Sequence, residues 1–144
     1  MRRWLLKTEP EEYSFADLLN EGVTVWDGVK APAALKNMRS MQVSDAVLIY
    51  HSGKVKAVVG TAKVSAEAYP DPDRDDNKLV VVEIAAGEEL KNKVALSVIK
   101  DSGLFTDWEL VRMPRLSVMP VSDDQWNKII EWSLYLIALK GNLP

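Results

Sequence analysis

Lys7, Thr8 and Glu9 set a cation, a hydroxyl and a carboxylate on successive residues, directly after the apolar run Trp4-Leu5-Leu6. Pro10 has no N–H and biases Glu9 away from the α region, so a strand should stop there. Such a group at a strand end, flanked by Trp4 and later Tyr13, can form the polar floor of a small pocket. It can equally be the solvated end of an edge strand, because function is argued from a site and not from a strand. Trp26-Asp27 repeats the combination of an indole and a carboxylate, again at the end of an expected strand. Aromatic faces at strand ends are how proteins sandwich an extruded base, with nearby polar groups reading its Watson–Crick edge. Core packing is the competing reading for each tryptophan taken singly.

His51 is the single histidine, in a turn between Tyr50 and Ser52. A Ser-His-Asp arrangement needs a base within reach of a nucleophile and a third, orienting group. Ser52 adjoins His51 in sequence, but no nucleophile-elbow motif or glycine-rich oxyanion loop accompanies it. One histidine and no cysteine do not make a typical zinc site, so no metal is expected. No glycine pattern cradles a phosphate, so no nucleotide cofactor is expected either. Adjacent carboxylates at Glu11-Glu12, Asp75-Asp76, Glu88-Glu89 and Asp123-Asp124 fall in expected loops and caps and single out no acid/base pair. The aspartate-rich loop Tyr69 to Asn77 lacks the spacing of a helix–loop–helix calcium site. An acid/base enzyme built on His51, Tyr50 and Glu9 remains the alternative to a binding module.

The chain has 144 residues, 47% hydrophobic and 27% charged, which suits one domain with one core. Its net charge of −3 leaves no surface-wide basic field for non-specific DNA binding. Any nucleic-acid contact then needs a local patch, and Lys30, Lys36 and Arg39 with Arg2 and Arg3 are the nearest to one. The absence of cysteine fits a reducing compartment. The apolar runs are too short for a signal peptide or a membrane span. The expectation is a cytoplasmic protein without membrane contact.

The elements that would position these groups follow in order. Residues 3–8 read as a strand. Ser14 and Asp17 form a capping box for a short helix that Gly22 ends. Residues 23–26 read as a second strand, and Asp27-Gly28 as a turn. A helix is expected over 31–39, with Pro32 in its first turn. Residues 46–50 form a strand buried on both faces, and with residues 55–64 it should make a hairpin. Gly60 marks a bulge or a close backbone approach. A strand over 79–84, a short helix over 96–100 and a last strand over 116–121 follow. Residues 108–115 carry no clear signal. Ser122 and Gln125 cap a final helix in which Trp126, Ile129, Ile130, Ser133, Leu134 and Ile137 share one face. Trp132, Tyr135, Leu136 and Leu139 lie off that face, so the helix from Trp126 to Leu139 could cover a second copy of the chain. Strands and short helices without a βαβ rhythm predict an α+β fold with five to seven mixed strands in a small, partly open barrel.

Taken together, Trp4 to Pro10, Tyr13-Ser14-Phe15 and Val25-Trp26-Asp27-Gly28-Val29 resemble the EVE domain family. Leu48 to Gly53, Val59-Gly60, Glu67 to Asp71 and Pro114 to Val118 extend the likeness over roughly residues 3–131. The resemblance implies a PUA-like pseudobarrel, related to the YTH domains that read methylated adenine in RNA. It implies a non-enzymatic reader of a modified base, such as a methylated or hydroxymethylated cytosine, in DNA or RNA. By position, Trp26 matches the aromatic wall of the pocket, and Asp27 a hydrogen-bonding neighbour. Lys7, Thr8 and Glu9 match the polar strand end that lines it, and Trp4, on the same strand, is placed in the pocket with them. Tyr50, His51, Ser52 and Tyr69 match family motif positions, while Arg115 matches an arginine suited to phosphate, alongside Lys30, Lys36 and Arg39. The chain departs from the family where Lys30-Ala31-Pro32-Ala33-Ala34 replaces a segment that usually carries Asn and Gln. It departs again in the apolar tail, so residues 1–131 are expected as the domain and 132–144 as a helical extension.

Overall fold

The computed structural model describes the backbone of residues 1–141 and side chains through Tyr135. Six strands among the described residues form one mixed sheet, flanked by five helices. In chain order these are β1 (Arg3–Thr8), α1 (Phe15–Glu21), β2 (Val23–Trp26), α2 (Pro32–Ser40), β3 (Ala46–His51) and β4 (Ala57–Pro70). After them come β5 (Val80–Ala95), α3 (Leu96–Ser102), α4 (Glu109–Arg112), β6 (Val118–Pro120) and α5 (Asp123–Gly141). The sheet order is β2-β5-β4-β3-β1-β6. Only β1 and β3 run parallel, in a register that sets Lys7 opposite Tyr50 and Thr8 opposite His51. The α+β architecture and the hairpin of β3 with β4 agree with the sequence.

The centre of the sheet is apolar on both faces. Leu5, Leu6, Val47, Leu48 and Ile49 are buried, as continuous apolar runs in central strands require. Two departures from expectation concern length. β4 continues to Pro70 and β5 to Ala95, well past the strand ends read from the sequence. Their pairing slips at several positions, and each bulge lets the ladder bend and continue through polar residues. The last strand is shorter than expected, ending up as Val118–Pro120. Gly60 combines both roles foreseen for it. Pairing shifts on either side of it, and a Cβ there would collide with the Phe15 ring.

α2 presents Ala34, Leu35 and Met38 to the core from a helix that begins at Pro32. α5 begins with the expected box: Gln125 N–H donates to Ser122 Oγ at 3.1 Å, and Ser122 N–H to Gln125 Oε1 at 2.8 Å. Its inner face is Ile129 and Ser133. Leu134, expected on that face, is 50% exposed, because one residue further on turns the side chain about 100° away from Ser133. α5 continues unbroken past residue 131, and Trp132 meets Phe105 at 6.3 Å between ring centroids. The expected division at that point is therefore no break in the backbone. Leu136, Ile137 and Leu139 fall outside the described side chains. No helix is long and apolar enough to cross a membrane among the described residues.

Candidate nucleic-acid interface

The carboxyl ends of β1 and β2 open into one cleft of about 510 Å³. From the end of β1 and the turn that follows come Lys7, Thr8, Glu9, Glu12 and Tyr13. From β2 and its exit come Thr24, Val25, Trp26, Asp27 and then Gly28 to Lys30, while Ser117 closes the third side. A volume of this size lies within the usual range of small-ligand pockets. The strand end and the indole that sequence singled out thus meet across an open space.

Each polar group has a definite setting. Lys7 Nζ donates to the Pro114 carbonyl at 2.9 Å and lies 5.4 Å from the centre of the Tyr50 ring. Burial holds the Lys7 ammonium below its ordinary pKa. Thr8 Oγ1 donates to the Tyr13 carbonyl at 2.7 Å, which folds the residue 9–13 turn back onto the strand. The Glu9 carbonyl accepts both the Glu12 and Tyr13 N–H groups and completes that turn. The Glu9 carboxylate accepts from Ser52 Oγ at 3.1 Å and rests against Gly53. Gly53 has φ +73°, which favours glycine, and a Cβ there would push the Glu9 carboxylate from its place.

Trp26 forms the apolar wall. Its indole is 8% exposed and meets the Tyr13 ring edge-on, with centroids 6.0 Å apart and planes at 90°. Packing of this kind holds both rings in place at the wall of the cleft. Asp27 and Lys30 are exposed on the cleft's outer side.

Five of the expected pocket residues, Trp4, Tyr50, His51, Ser52 and Tyr69, do not line the cleft. Trp4 points to the opposite face of the sheet from Lys7, because the two are an odd number of residues apart on one strand. Its indole N–H donates to Asp45 Oδ2 at 2.9 Å, and Asp45 also accepts from the Gln42 and Arg2 N–H groups. Burial alone would raise the Asp45 pKa, but these three donors and the N-terminal charge hold it below its ordinary value. Tyr50 is buried beneath Lys7, and burial raises its phenol pKa. Tyr69 donates to Glu83 at 2.8 Å on the β4–β5 ladder, and that bond raises its pKa. His51 lines a separate hollow of about 310 Å³ with Phe15, Leu90 and Lys93. There its Nε2 accepts the Phe15 N–H at 3.0 Å, so this nitrogen carries no proton, and burial lowers its pKa.

His51 and Glu9 consequently line different clefts. Ser52 acts on the cleft only through Glu9. Lys36, Arg39 and Arg115 do not line it, and the Arg39 guanidinium is bonded to the Lys78 carbonyl. Ala31 and Ala33 are exposed and stand just beyond Lys30, outside the cleft. Among the described residues, no group of three or more His, Asp or Glu side chains is placed to hold a metal. Thr24 and Ser117 are cleft residues that sequence reasoning missed. Ser117 is carried there by the hydrogen bond from Lys7 N–H to its carbonyl at 2.9 Å, which no local pattern announces.

Comparison with known proteins supplies a family context. Residues 2–132 match the EVE domain. Thymocyte nuclear protein 1 of Rattus norvegicus is 28% identical over 161 aligned residues, covering 88% of this chain and 71% of that protein. A solved structure from Rhodopseudomonas palustris is 34% identical with a TM-score of 0.88, covering 94% of this chain and 95% of that one. Human THYN1, in a crystal structure with DNA containing 5-methylcytosine, is 24% identical with a TM-score of 0.85, covering 92% and 98% of the two chains. That last likeness is one of fold.

Proposed function

The chain belongs to the EVE domain family, and on that footing we propose that its cleft accepts a modified base displaced from a nucleic-acid strand. The observation that carries this reading is the meeting of the Trp26 indole with Lys7, Thr8, Glu9 and Asp27 across about 510 Å³ of open space. The indole supplies an apolar wall for a planar heterocycle, and the polar strand end faces the base's hydrogen-bonding edge. Human THYN1, of the same fold, has been crystallised with DNA containing 5-methylcytosine. A methylated or hydroxymethylated cytosine is therefore the first candidate for this chain.

Lys30 on the cleft's outer side serves as the nearest cation for a phosphate, with Arg115 next to the Pro114 carbonyl that holds Lys7. With a net charge of −3, the protein offers few such contacts, so binding rests more on the pocket than on the backbone.

The test is a titration of fluorescent DNA and RNA oligonucleotides, modified and unmodified, against wild type and Trp26→Leu. Wild type binds at least one modified strand more tightly than its unmodified counterpart, and Trp26→Leu weakens that binding by about 1–3 kcal/mol. Negligible and equal binding of every strand by both proteins rejects the reading.

A further inference from the structure

We propose that Glu9, held by Ser52 and Gly53, makes the cleft selective for bases that present an exocyclic amino group and excludes those with a keto oxygen in its place. The inference rests on the base-reading function proposed above and names the group that discriminates.

The polar groups of the cleft differ in what they still have to offer. Thr8 has one O–H, and it is taken up by the Tyr13 carbonyl. Lys7 uses one N–H on the Pro114 carbonyl and keeps two. Those two belong to a rotatable ammonium, which serves an acceptor on any base and so discriminates poorly. An ionised carboxylate, by contrast, only accepts. Glu9 is the one cleft carboxylate with a built seat. Ser52 Oγ donates to its Oε2 at 3.1 Å, and Ser52 N–H is itself tied to the Thr8 carbonyl at 2.9 Å. Gly53 leaves room for Oε1 where any Cβ would intrude. The carboxylate is thus held between two strand ends at the cleft wall, with acceptor capacity beyond the one bond from Ser52.

A fixed acceptor discriminates by repulsion as well as attraction. An amino group such as the N4 of cytosine donates to it, as carboxylates do to that edge in other complexes. A keto oxygen in the same place sets two acceptors together in a partly desolvated site, which leaves both unpaired. Glu9 is therefore the specificity-determining residue, and Ser52 and Gly53 are positioning residues.

5-Methylcytosine and thymine isolate this effect, since both carry the 5-methyl group and they differ at position 4. Oligonucleotides identical except for that one base are titrated against wild type, Glu9→Gln and Ser52→Ala, with thermal melts run on each variant. Wild type favours 5-methylcytosine over thymine by about tenfold or more. Glu9→Gln, whose amide both donates and accepts, brings the ratio close to one while still binding. Ser52→Ala gives an intermediate ratio, a change that a loss of stability alone does not produce. Equal wild-type binding of the two strands, or an unchanged ratio in Glu9→Gln, overturns the assignment while leaving a base reader in place. Binding of neither strand also overturns the assignment, and the reader falls with it only when every other modified strand of the panel fails to bind as well.

Discussion

The two ends of β1 carry similar chemistry and put it to opposite uses. At the amino end an indole and a carboxylate, Trp4 and Asp45, are buried against each other. The carboxylate accepts three N–H groups and faces no opening. At the carboxyl end an indole and a carboxylate, Trp26 and Glu9, stand on opposite walls of a cleft. There the carboxylate has one side-chain donor, and Trp26, although 8% exposed, lines the opening. Residue type does not separate these ends. What separates them is whether the polar valences are closed by the protein itself, since a closed set holds the core and an open set awaits a ligand.

The contrast is broken most forcefully at Trp4. Trp4→Ala removes a 3% exposed indole and strips Asp45 of its side-chain donor. Unfolding in denaturant should show a loss of about 3–5 kcal/mol. Protein that remains folded should keep its ratio between modified and unmodified strands. Trp26→Leu reverses the pattern, with its main effect in the oligonucleotide titration. A collapse of base preference in Trp4→Ala that outruns its loss of folded protein would erase the distinction between the two ends.

A smaller effect sharpens the comparison from a third position. Thr8 and His51 are paired in register, yet Thr8 lines the cleft and His51 the hollow behind it. His51 behaves like Asp45, as a closed structural contact whose Nε2 accepts the Phe15 N–H. Its folded pKa lies below the ordinary 6.5, so the unfolded chain takes up the proton first as pH falls. Stability is then full above about pH 6.5 and declines as pH drops through the lowered folded value. The charged side chains that share the hollow with it are Lys91, Lys93 and Glu89. Chemical denaturation between pH 7.5 and 5.5 should show this decline in wild type and a flatter profile in His51→Gln. Base preference at pH 7.5 should be the same in both, and a lost preference in His51→Gln would place the histidine in the reading site.

Much of the cleft was legible in sequence because its parts are local. Lys7, Thr8 and Glu9 are consecutive, Pro10 stops the strand behind them, and the Ser14–Asp17 capping box fixes where the next helix begins. Trp26 is followed at once by the Asp27-Gly28 turn. Trp4 was assigned to the pocket by proximity in sequence, against the alternation that a strand imposes. Asp45 drew no notice because its donors come from Arg2, Trp4 and Gln42, and only the β1–β3 pairing brings the first two to it. The extra length of β5 was hidden by Gly87-Glu88-Glu89, which reads as a turn but stays in the ladder through bulges. Sequence pattern reports periodicity and breakers. It does not report which distant strand supplies the partner.

The finest distinction lies between the cleft's own cations. Lys7 is half-buried and bonded to Pro114, whereas Lys30 is exposed at the outer side. A buried, bonded ammonium is costly to remove, because its partner carbonyl loses its donor. An exposed lysine beside a phosphate acts mainly by releasing counterions, so its removal should leave folding untouched. Lys30→Ala should therefore weaken modified and unmodified strands about equally and reduce the salt slope of binding by roughly one unit. Titrations of both strands at several salt concentrations separate these effects. A changed ratio between the strands would mean that Lys30 reaches the base, and the line between the cleft's reading wall and its phosphate side would then have to be drawn further out.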